Sequence, residues 1–232
     1  HNTFDCIIDN QSDNYSLLAV QGPNSIALLQ ELTDINLTEI KYYNFKIGSI
    51  AGVEDVILSR TGYTGEIGFE LYVKNKDART LWEALFSTKI QIKAIGLAAR
   101  DTLRLEKGFC LYGNDINDTT SPIEAGLGWI TKFTKDFVNS ENLKKQKEEG
   151  TSRKLIGIEL LEKGIARKDY PIVDKNGNEI GVITSGTMSP TLNKAIAMGY
   201  VSSECSSVDS ELYIQVRKKQ IKSKVVSLPF VK

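Results

Sequence analysis

Histidine is nearly absent from this chain: the only one among its 232 residues is His1. Serine and cysteine hydrolases use a histidine base, and catalytic zinc sites commonly use histidine ligands. Both classes of enzyme are therefore close to excluded. We expect any chemistry to rest on carboxylates, tyrosines, arginines and the positioning of a bound group, with no metal site.

Cysteine is also scarce. Cys6, Cys110 and Cys205 are odd in number and widely spaced, and no C-x-x-C occurs. This argues against a disulfide framework or a structural zinc site, and it fits a reducing compartment. The start of the sequence has neither a secretory signal nor an initiating Met, so we expect a processed chain or a missing opening segment.

Long apolar runs and excess charge are missing too. No run approaches the roughly 18 apolar residues of a membrane span. The 29 basic and 29 acidic side chains balance, so nothing steers the whole chain toward nucleic acid or membranes, and neither partner is expected. The local basic clusters, 144–147 and 217–219, are interpreted as a solvated helix face and as protection of an edge strand.

The pattern of elements changes near position 150. Before it, strands and helices alternate irregularly, which predicts an α+β fold. After Arg153 the sequence shows short strands separated by turns, typical of a small antiparallel barrel, with Asn176-Gly177 as a hairpin signal. We therefore predict an α+β region over 1–150 and a β-barrel domain over 151–232. The predicted helices are the segments 26–32, 78–86, 97–106 and 140–149, with Asn75 or Asp77 and Ser140 as caps.

The segment SRTGYTGEIGFE (59–70) is the first candidate site. Three glycines would let the backbone approach a ligand, and Glu70 begins a strand, which is a rigid place for a carboxylate. A carboxylate accepts two parallel N–H bonds, as offered by a 2-amino-pyrimidinone edge such as that of a pterin or guanine. Tyr63 would stack or hydrogen-bond beside it. A plain glycine-rich hairpin with surface carboxylates is the alternative.

Three further segments carry candidate residues. In GLAARDTLRLEKGFCLYGNDI (96–116), Arg100 and Arg104 share a helix face, although surface ion pairs with Asp101 explain them as well. In SPIEAGLGWITK (121–132), Trp129 would form a flat wall for another ring, or else a core side chain. In KGIARKDYPI (163–172), Arg167 would reach a carboxylated ligand tail, or else lie on the surface.

In this order the four segments, followed by IGVITSGTMSPTLNKAIAMGYV, resemble the aminomethyltransferase (T-protein) family of the glycine cleavage system. The resemblance runs from about Tyr15 to the C-terminus. It implies a folate-binding fold that ends in a small β-barrel, and an enzyme that moves the methylene carbon from the lipoyl-bound aminomethyl group of H-protein to tetrahydrofolate, with release of ammonia. It also implies a monomer, in the cytoplasm or, in a eukaryote, in the mitochondrial matrix.

The resemblance assigns cofactor-binding roles to five residues. The pterin-side tyrosine and glutamate fall on Tyr63 and Glu70, and the motif arginine of the helix falls on Arg100. The tryptophan of the GLxW motif is Trp129, and the arginine before the Tyr-Pro pair is Arg167, facing the glutamate tail of the folate.

One departure from the family pattern leaves the catalytic residue unassigned. The catalytic Asp of the family lies in an N-terminal segment that has no counterpart in this sequence. The same scaffold also resembles a non-catalytic folate-binding protein of iron–sulfur cluster assembly, which is the alternative function. That group usually carries K-G-C-x-x-G-Q-E, whereas here Cys110 is displaced by one and Asn114-Asp115 replaces Gln-Glu, which favours the aminomethyltransferase.

Overall fold

The structure is a computed structural model that describes residues 5–232, so His1 lies outside the described residues. It divides into two compact units, the first ending at Gly96 and the second beginning at Leu97. Helices combine with antiparallel sheets and a closed C-terminal barrel, which confirms the predicted α+β class.

The first unit is built on a four-stranded antiparallel sheet in the order β1-β4-β3-β2. Its short 3-10 turns cover Ser12–Asn14, Leu37–Glu39 and Asn75–Asp77. Its strands and helices are β1 (Tyr15–Gln21), α1 (Ser25–Gln30), β2 (Phe45–Ile50), β3 (Val53–Ser59), β4 (Gly68–Lys74) and α2 (Ala78–Phe86).

Alternation along the strands forms the core of this unit. Phe69, Leu71 and Val73 on β4 are buried, while the residues between them face the other side of the sheet. Leu81 and Leu85 lie four apart on α2 and are buried in the same core. One face of the sheet is therefore covered by helices.

The predicted caps are wrong in detail. Neither Asp77 before α2 nor Asn139 before α4 makes a side-chain capping bond, and Ser140 is already the first residue of its helix. Asn75 instead accepts a bond from the Ser16 hydroxyl at 2.8 Å and donates to the Asp13 carbonyl at 2.7 Å. Its side chain stabilises the start of β1, a long-range role that local sequence does not reveal.

The second unit begins with α3 (Leu97–Glu106) and α4 (Ser140–Glu149), both at the predicted bounds. Six antiparallel strands then close into a barrel in the order β10-β5-β8-β7-β6-β9. A 3-10 turn covers Ser203–Cys205. The strands are β5 (Arg153–Leu160), β6 (Pro171–Val173), β7 (Glu179–Ser189), β8 (Lys194–Ser202), β9 (Glu211–Val216) and β10 (Lys219–Val226).

Helix α3 packs on the outside of this barrel. Leu105, near its end, is fully buried against Ile196 and Met198 of β8. The helix ends at Glu106, and Gly108 follows it with a φ of 68°, the left-handed conformation that favours glycine after a helix. The barrel thus fixes the last turn of α3.

The hairpin between β6 and β7 lies where Asn176-Gly177 predicted one, with a longer loop. Residues 174–178 connect the strands, and Gly177 has a φ of 86° while Asn176 stays at negative φ. Asp174 accepts bonds from the backbone N–H groups of Asn176 and Asn178, at 2.8 and 2.9 Å. The aspartate, rather than a two-residue turn, organises the loop.

Within residues 5–232, no helix combines the length and apolar character needed to cross a bilayer.

Candidate functional site

Glu70 lies on β4, a strand with neighbours on both sides. It is opposite Ala19 of β1 and Ser59 of β3. Phe69 and Leu71 point into the core, so Glu70 and Tyr72 lie on the opposite face of the sheet. The carboxylate is therefore held by a strand, as the sequence predicted, and this strand is paired along both edges.

The face that carries Glu70 is largely apolar and exposed. Leu17, Phe45 and Ile47 are exposed by 46%, 61% and 60%. The strand registers place Leu17 opposite Tyr72 and Phe45 opposite Ser59, on the same face as Glu70. An apolar surface with a carboxylate at one position suits a flat heteroaromatic ligand that carries N–H donors.

Thr61 fixes the Glu70 carboxylate. Its hydroxyl is hydrogen-bonded to Glu70 Oε2, and it lies 3.1 Å from the hydroxyl of Ser59. Because both hydroxyl groups belong to the end of β3 and the start of the following loop, the carboxylate is oriented by the neighbouring strand. One oxygen of Glu70 is engaged in this way.

The charge of Glu70 affects the pKa values of two tyrosines, Tyr42 and Tyr72. Burial, and after it the negative charge of Glu70, raises the pKa of Tyr72. The pKa of Tyr42 is raised first by burial, then by its contact with Tyr43, and then by Glu70. The rings of Tyr42 and Tyr43 have centroids 4.2 Å apart. Both phenols that face the carboxylate are therefore neutral at pH 7.

Neither Tyr42 nor Tyr72 was predicted as a site residue. Tyr72 follows Glu70 by two positions in a strand, so the alternation of side chains could have placed it on the same face. Tyr42 lies in the turn before β2, far from Glu70 in the sequence. Periodicity is read over windows of about 11–18 residues, so it could not have related the two. Its proximity depends on the pairing of β2 with β3.

Tyr63 lies half-buried in the loop 60–67 between β3 and β4, on the same unit as Glu70. Of the glycines in and beside this loop, Gly65 has a φ of 74°, a conformation at the turn that favours glycine. Gly62 and Gly68 have no such φ, so their role must be steric.

Arg100, Trp129 and Arg167 belong to the second unit. Arg100 is exposed on α3, one turn before Arg104, whose side chain is almost completely buried. Arg104 donates to Asp101 at 2.8 Å, to the Phe109 carbonyl at 3.0 Å and to Asp115 at 2.7 Å. The two arginines share a helix face in the sequence but differ in burial. Arg104 is buried and anchors the helix, whereas Arg100 is exposed on it.

Trp129 and Arg167 both lie on exposed surface. The Trp129 side chain is 67% exposed, which excludes the core position that was its alternative interpretation. Arg167 is exposed in the loop before β6, with Nη1 3.5 Å from the Gly186 carbonyl. Both side chains are accessible to a ligand.

A polar cavity of about 230 Å³ in the second unit was not predicted. Arg153 forms two hydrogen bonds to Glu124 at its rim and lies 4.5 Å from the centroid of the Tyr200 ring. The Arg153 guanidinium is the main cause that lowers the pKa of Glu124. Lys168 donates to the Gly113 carbonyl at 2.7 Å and so connects two of its lining loops. Arg153 and Lys168 thus already have protein partners, a carboxylate for the first and carbonyl and amide oxygens for the second, which indicates a structural role.

Neither Cys110 nor a metal site supplies chemistry in the described residues 5–232. Burial raises the pKa of Cys110 to about 11, so its thiol stays protonated at neutral pH and is a poor nucleophile. Among residues 5–232, no group of histidine, cysteine, aspartate and glutamate side chains has an arrangement that could hold a metal ion.

Two family models match the chain. The model described as "GCVT N-terminal domain" matches residues 1–135, and that described as "Glycine cleavage T-protein C-terminal barrel domain" matches residues 153–232. The chain belongs to the glycine cleavage T-protein family. This confirms the resemblance carried by the four sequence segments.

Similar proteins agree with this membership. The chain is 58% identical to a protein of Flavobacterium psychrophilum named "Aminomethyltransferase", over 234 residues that cover 100% of the chain and 65% of the relative. A Porphyromonas gingivalis protein of the same name is 56% identical, with the same coverage of both chains. The chain therefore spans 65% of the length of these T-protein relatives.

A solved structure of the family has the same fold. It is described as "Crystal structure of glycine cleavage system aminomethyltransferase T from Bartonella henselae", with a TM-score of 0.86 and 35% sequence identity. The match covers 94% of this chain and 60% of that one.

Proposed function

We propose that this chain is the folate-binding and barrel part of an aminomethyltransferase of the glycine cleavage system. The reaction moves the methylene carbon from the lipoyl-bound aminomethyl group of H-protein to tetrahydrofolate, and ammonia is released. Family membership and the names of the relatives support this activity. The structural observation that carries it is the Glu70 carboxylate, fixed by Thr61 on an exposed, partly aromatic face.

The residues around Glu70 fit a pterin. A carboxylate can accept two parallel N–H bonds from a 2-amino-pyrimidinone edge, and such charge-assisted bonds are the stronger kind. Tyr42 and Tyr72 supply aromatic surface near the carboxylate, and burial and the charge of Glu70 raise the pKa of both hydroxyl groups further above its ordinary value. Tyr63 is proposed to contribute a further contact from the adjoining loop.

Tetrahydrofolate, when bound, supplies the nitrogen atoms that accept the one-carbon unit. The proposed work of this chain is to bind the pterin at Glu70 and hold its orientation, since the alignment of reacting groups lowers the barrier of such a transfer. No acid or base for the chemical step is assigned to any residue of this chain.

The remaining site residues are proposed on the family resemblance. Arg100 and Trp129 would contact the cofactor, and Arg167 would face its carboxylated tail, as their exposure allows. We propose the functional division into a folate-binding region, 1–150, and a barrel domain, 151–232. We propose that the protein is a monomer and that lipoylated H-protein is its protein partner. The cytoplasm is the proposed location, because the named relatives are bacterial.

A non-catalytic folate-binding protein is the alternative, and the comparisons do not favour it. The relatives that match the whole chain at 55% identity or more carry the name aminomethyltransferase. Folate binding alone does not separate the two functions. Folate-dependent release of ammonia from aminomethylated H-protein by the full-length protein does, and its absence would leave only the accessory role.

The pterin site is tested by calorimetric titration of the full-length protein with 5-formyltetrahydrofolate. Glu70→Gln keeps the shape of the side chain but removes its charge, so we expect at least about tenfold weaker binding. Glu54→Gln, at an exposed position on the neighbouring strand β3, is the matched control and should bind as the wild type does. Equal affinities for the wild type and Glu70→Gln would remove Glu70 from the site.

A further inference from the structure

Gln21, the last residue of β1, lies beneath the loop that joins β3 to β4. Its Nε2 donates to the Thr61 carbonyl at 3.1 Å and reaches the Phe69 carbonyl at 3.4 Å. Its Oε1 accepts from the Thr64 hydroxyl at 3.1 Å. One half-buried amide therefore connects the beginning and the middle of the loop to the start of β4.

Two loop glycines leave room for this amide. A Cβ atom on Gly62 would lie 1.9 Å from Gln21 Oε1, and one on Gly68 would lie 2.5 Å from Gln21 Cδ and Nε2. Real Cβ atoms essentially never approach another atom to under 3.0 Å. Because neither glycine has a positive φ, a larger residue at either position would not strain the backbone but would displace the Gln21 amide.

The amide acts on Glu70 through Thr61. Gln21 holds the Thr61 carbonyl, and the hydroxyl of the same residue is bonded to the Glu70 carboxylate. Gln21 pairs with Gly68, two positions before Glu70 on β4, so its side chain lies on the same face of the sheet as the carboxylate. The path from the amide to the carboxylate is two hydrogen bonds long.

We propose that Gln21 is a positioning residue of the folate site, which shapes the loop 60–67 and orients Glu70 through Thr61. It is not a ligand of the cofactor. The glycine pattern of the loop is explained by this amide, in place of a close approach of the backbone to a ligand at Gly62 and Gly68. The part of the inference that concerns folate rests on the proposed function, whereas the part that concerns the loop does not.

The loop is tested first, without any ligand, by hydrogen exchange with mass spectrometry on the full-length protein. Gln21→Met fills similar space but cannot donate or accept, so amides in the segment 60–68 should exchange at least about fivefold faster than in the wild type. Gln30→Met is the matched control, because Gln30 also bridges a loop, with bonds of 2.9 and 3.0 Å to the Thr33 and Ile35 carbonyls. It should leave the exchange of 60–68 unchanged. Unchanged exchange in Gln21→Met would overturn the proposal.

The steric part is tested by a double-mutant cycle. Gly68→Ala alone should speed exchange in 60–68 because the new methyl group displaces the amide of Gln21. In a Gln21→Ala background the space is free, so adding Gly68→Ala should change the exchange little. Effects that simply add would show that Gly68 and Gln21 act independently, against the proposal.

The link to folate is tested by calorimetry with 5-formyltetrahydrofolate. We expect Gln21→Met to weaken binding about fivefold to tenfold, and Gln30→Met to leave it unchanged, with the affinity of Glu70→Gln measured beside them. Weaker binding in Glu70→Gln but not in Gln21→Met would overturn the positioning role and keep the proposed function. If Glu70→Gln binds normally, the proposed pterin site has failed, and the exchange experiments still decide whether Gln21 shapes the loop.

Discussion

Arg104 donates a hydrogen bond to Asp115 across 2.7 Å, and 1% of each residue is exposed. The carboxylate also accepts bonds from the hydroxyl groups of Thr184 and Ser185 on β7 and from the backbone N–H of Leu111. A buried charge pair is stable only when its remaining donors and acceptors are satisfied, and here protein groups satisfy them. The pair ties α3 to the barrel.

Removal of one partner of this pair should therefore be costly. Asp115→Asn would leave the buried Arg104 guanidinium with only the half-exposed Asp101 as its counter-charge, and we expect a loss of about 3–5 kcal/mol in the free energy of unfolding. Urea denaturation followed by fluorescence measures it. Glu83→Gln, which breaks an exposed pair with Arg79, is the control and should change stability by less than about 1 kcal/mol. Similar values for both variants would contradict a structural role for the buried pair.

Thr61 offers a milder way to disturb the candidate site than Glu70 itself. Thr61→Val keeps the branched shape and removes the hydroxyl that is bonded to the carboxylate. Bonds to charged groups contribute about 1.5–3 kcal/mol, so 5-formyltetrahydrofolate should bind about tenfold more weakly. Thr38→Val, which removes an exposed hydroxyl bonded to Asn36, is the matched control. An unchanged affinity in Thr61→Val would mean that Glu70 needs no orientation by Thr61.

The Glu124–Arg153 pair predicts a dependence of stability on pH. The hydrogen bond from Arg153, aided by the backbone N–H of Ser121, lowers the pKa of Glu124 from its ordinary value of 4.5. A lowered pKa in the folded state gives stability that is present above pH 4.5 and lost as the pH falls through the folded pKa. Glu124→Gln should thus be less stable than the wild type at pH 7, and the difference should shrink below pH 4.5.

Urea denaturation at several pH values measures this difference. Arg153→Gln should lose at least as much stability at pH 7, because it also removes the contact with the Tyr200 ring, and the double variant should lose little more than Arg153→Gln alone. A difference that stays constant down to acidic pH would show that packing, rather than charge, accounts for the effect of Glu124→Gln.

Sequence reasoning succeeded where the signals were local. The bounds of α3 followed from its apolar spacing and Gly108, and the strand carrying Glu70 followed from alternation. It failed for Gln21, which meets Gly68 only because β1 pairs with β4 across many intervening residues. Arg104 was grouped with Arg100 because spacing places both on one helix face, but spacing does not tell which turn of a helix becomes buried.

The strand order also determines which strands have an unpaired edge, and such edges are where two molecules can associate. Each strand of the barrel is bonded on both sides, whereas the sheet of the first unit ends at β1 on one side and at β2 on the other. An edge strand presents unpaired backbone groups to any other chain, and Phe45 and Ile47 make β2 apolar as well. Lys46, between them, supplies the charge that discourages such pairing. Replacing that lysine with a neutral residue would remove this protection and favour edge-to-edge association of two molecules at β2.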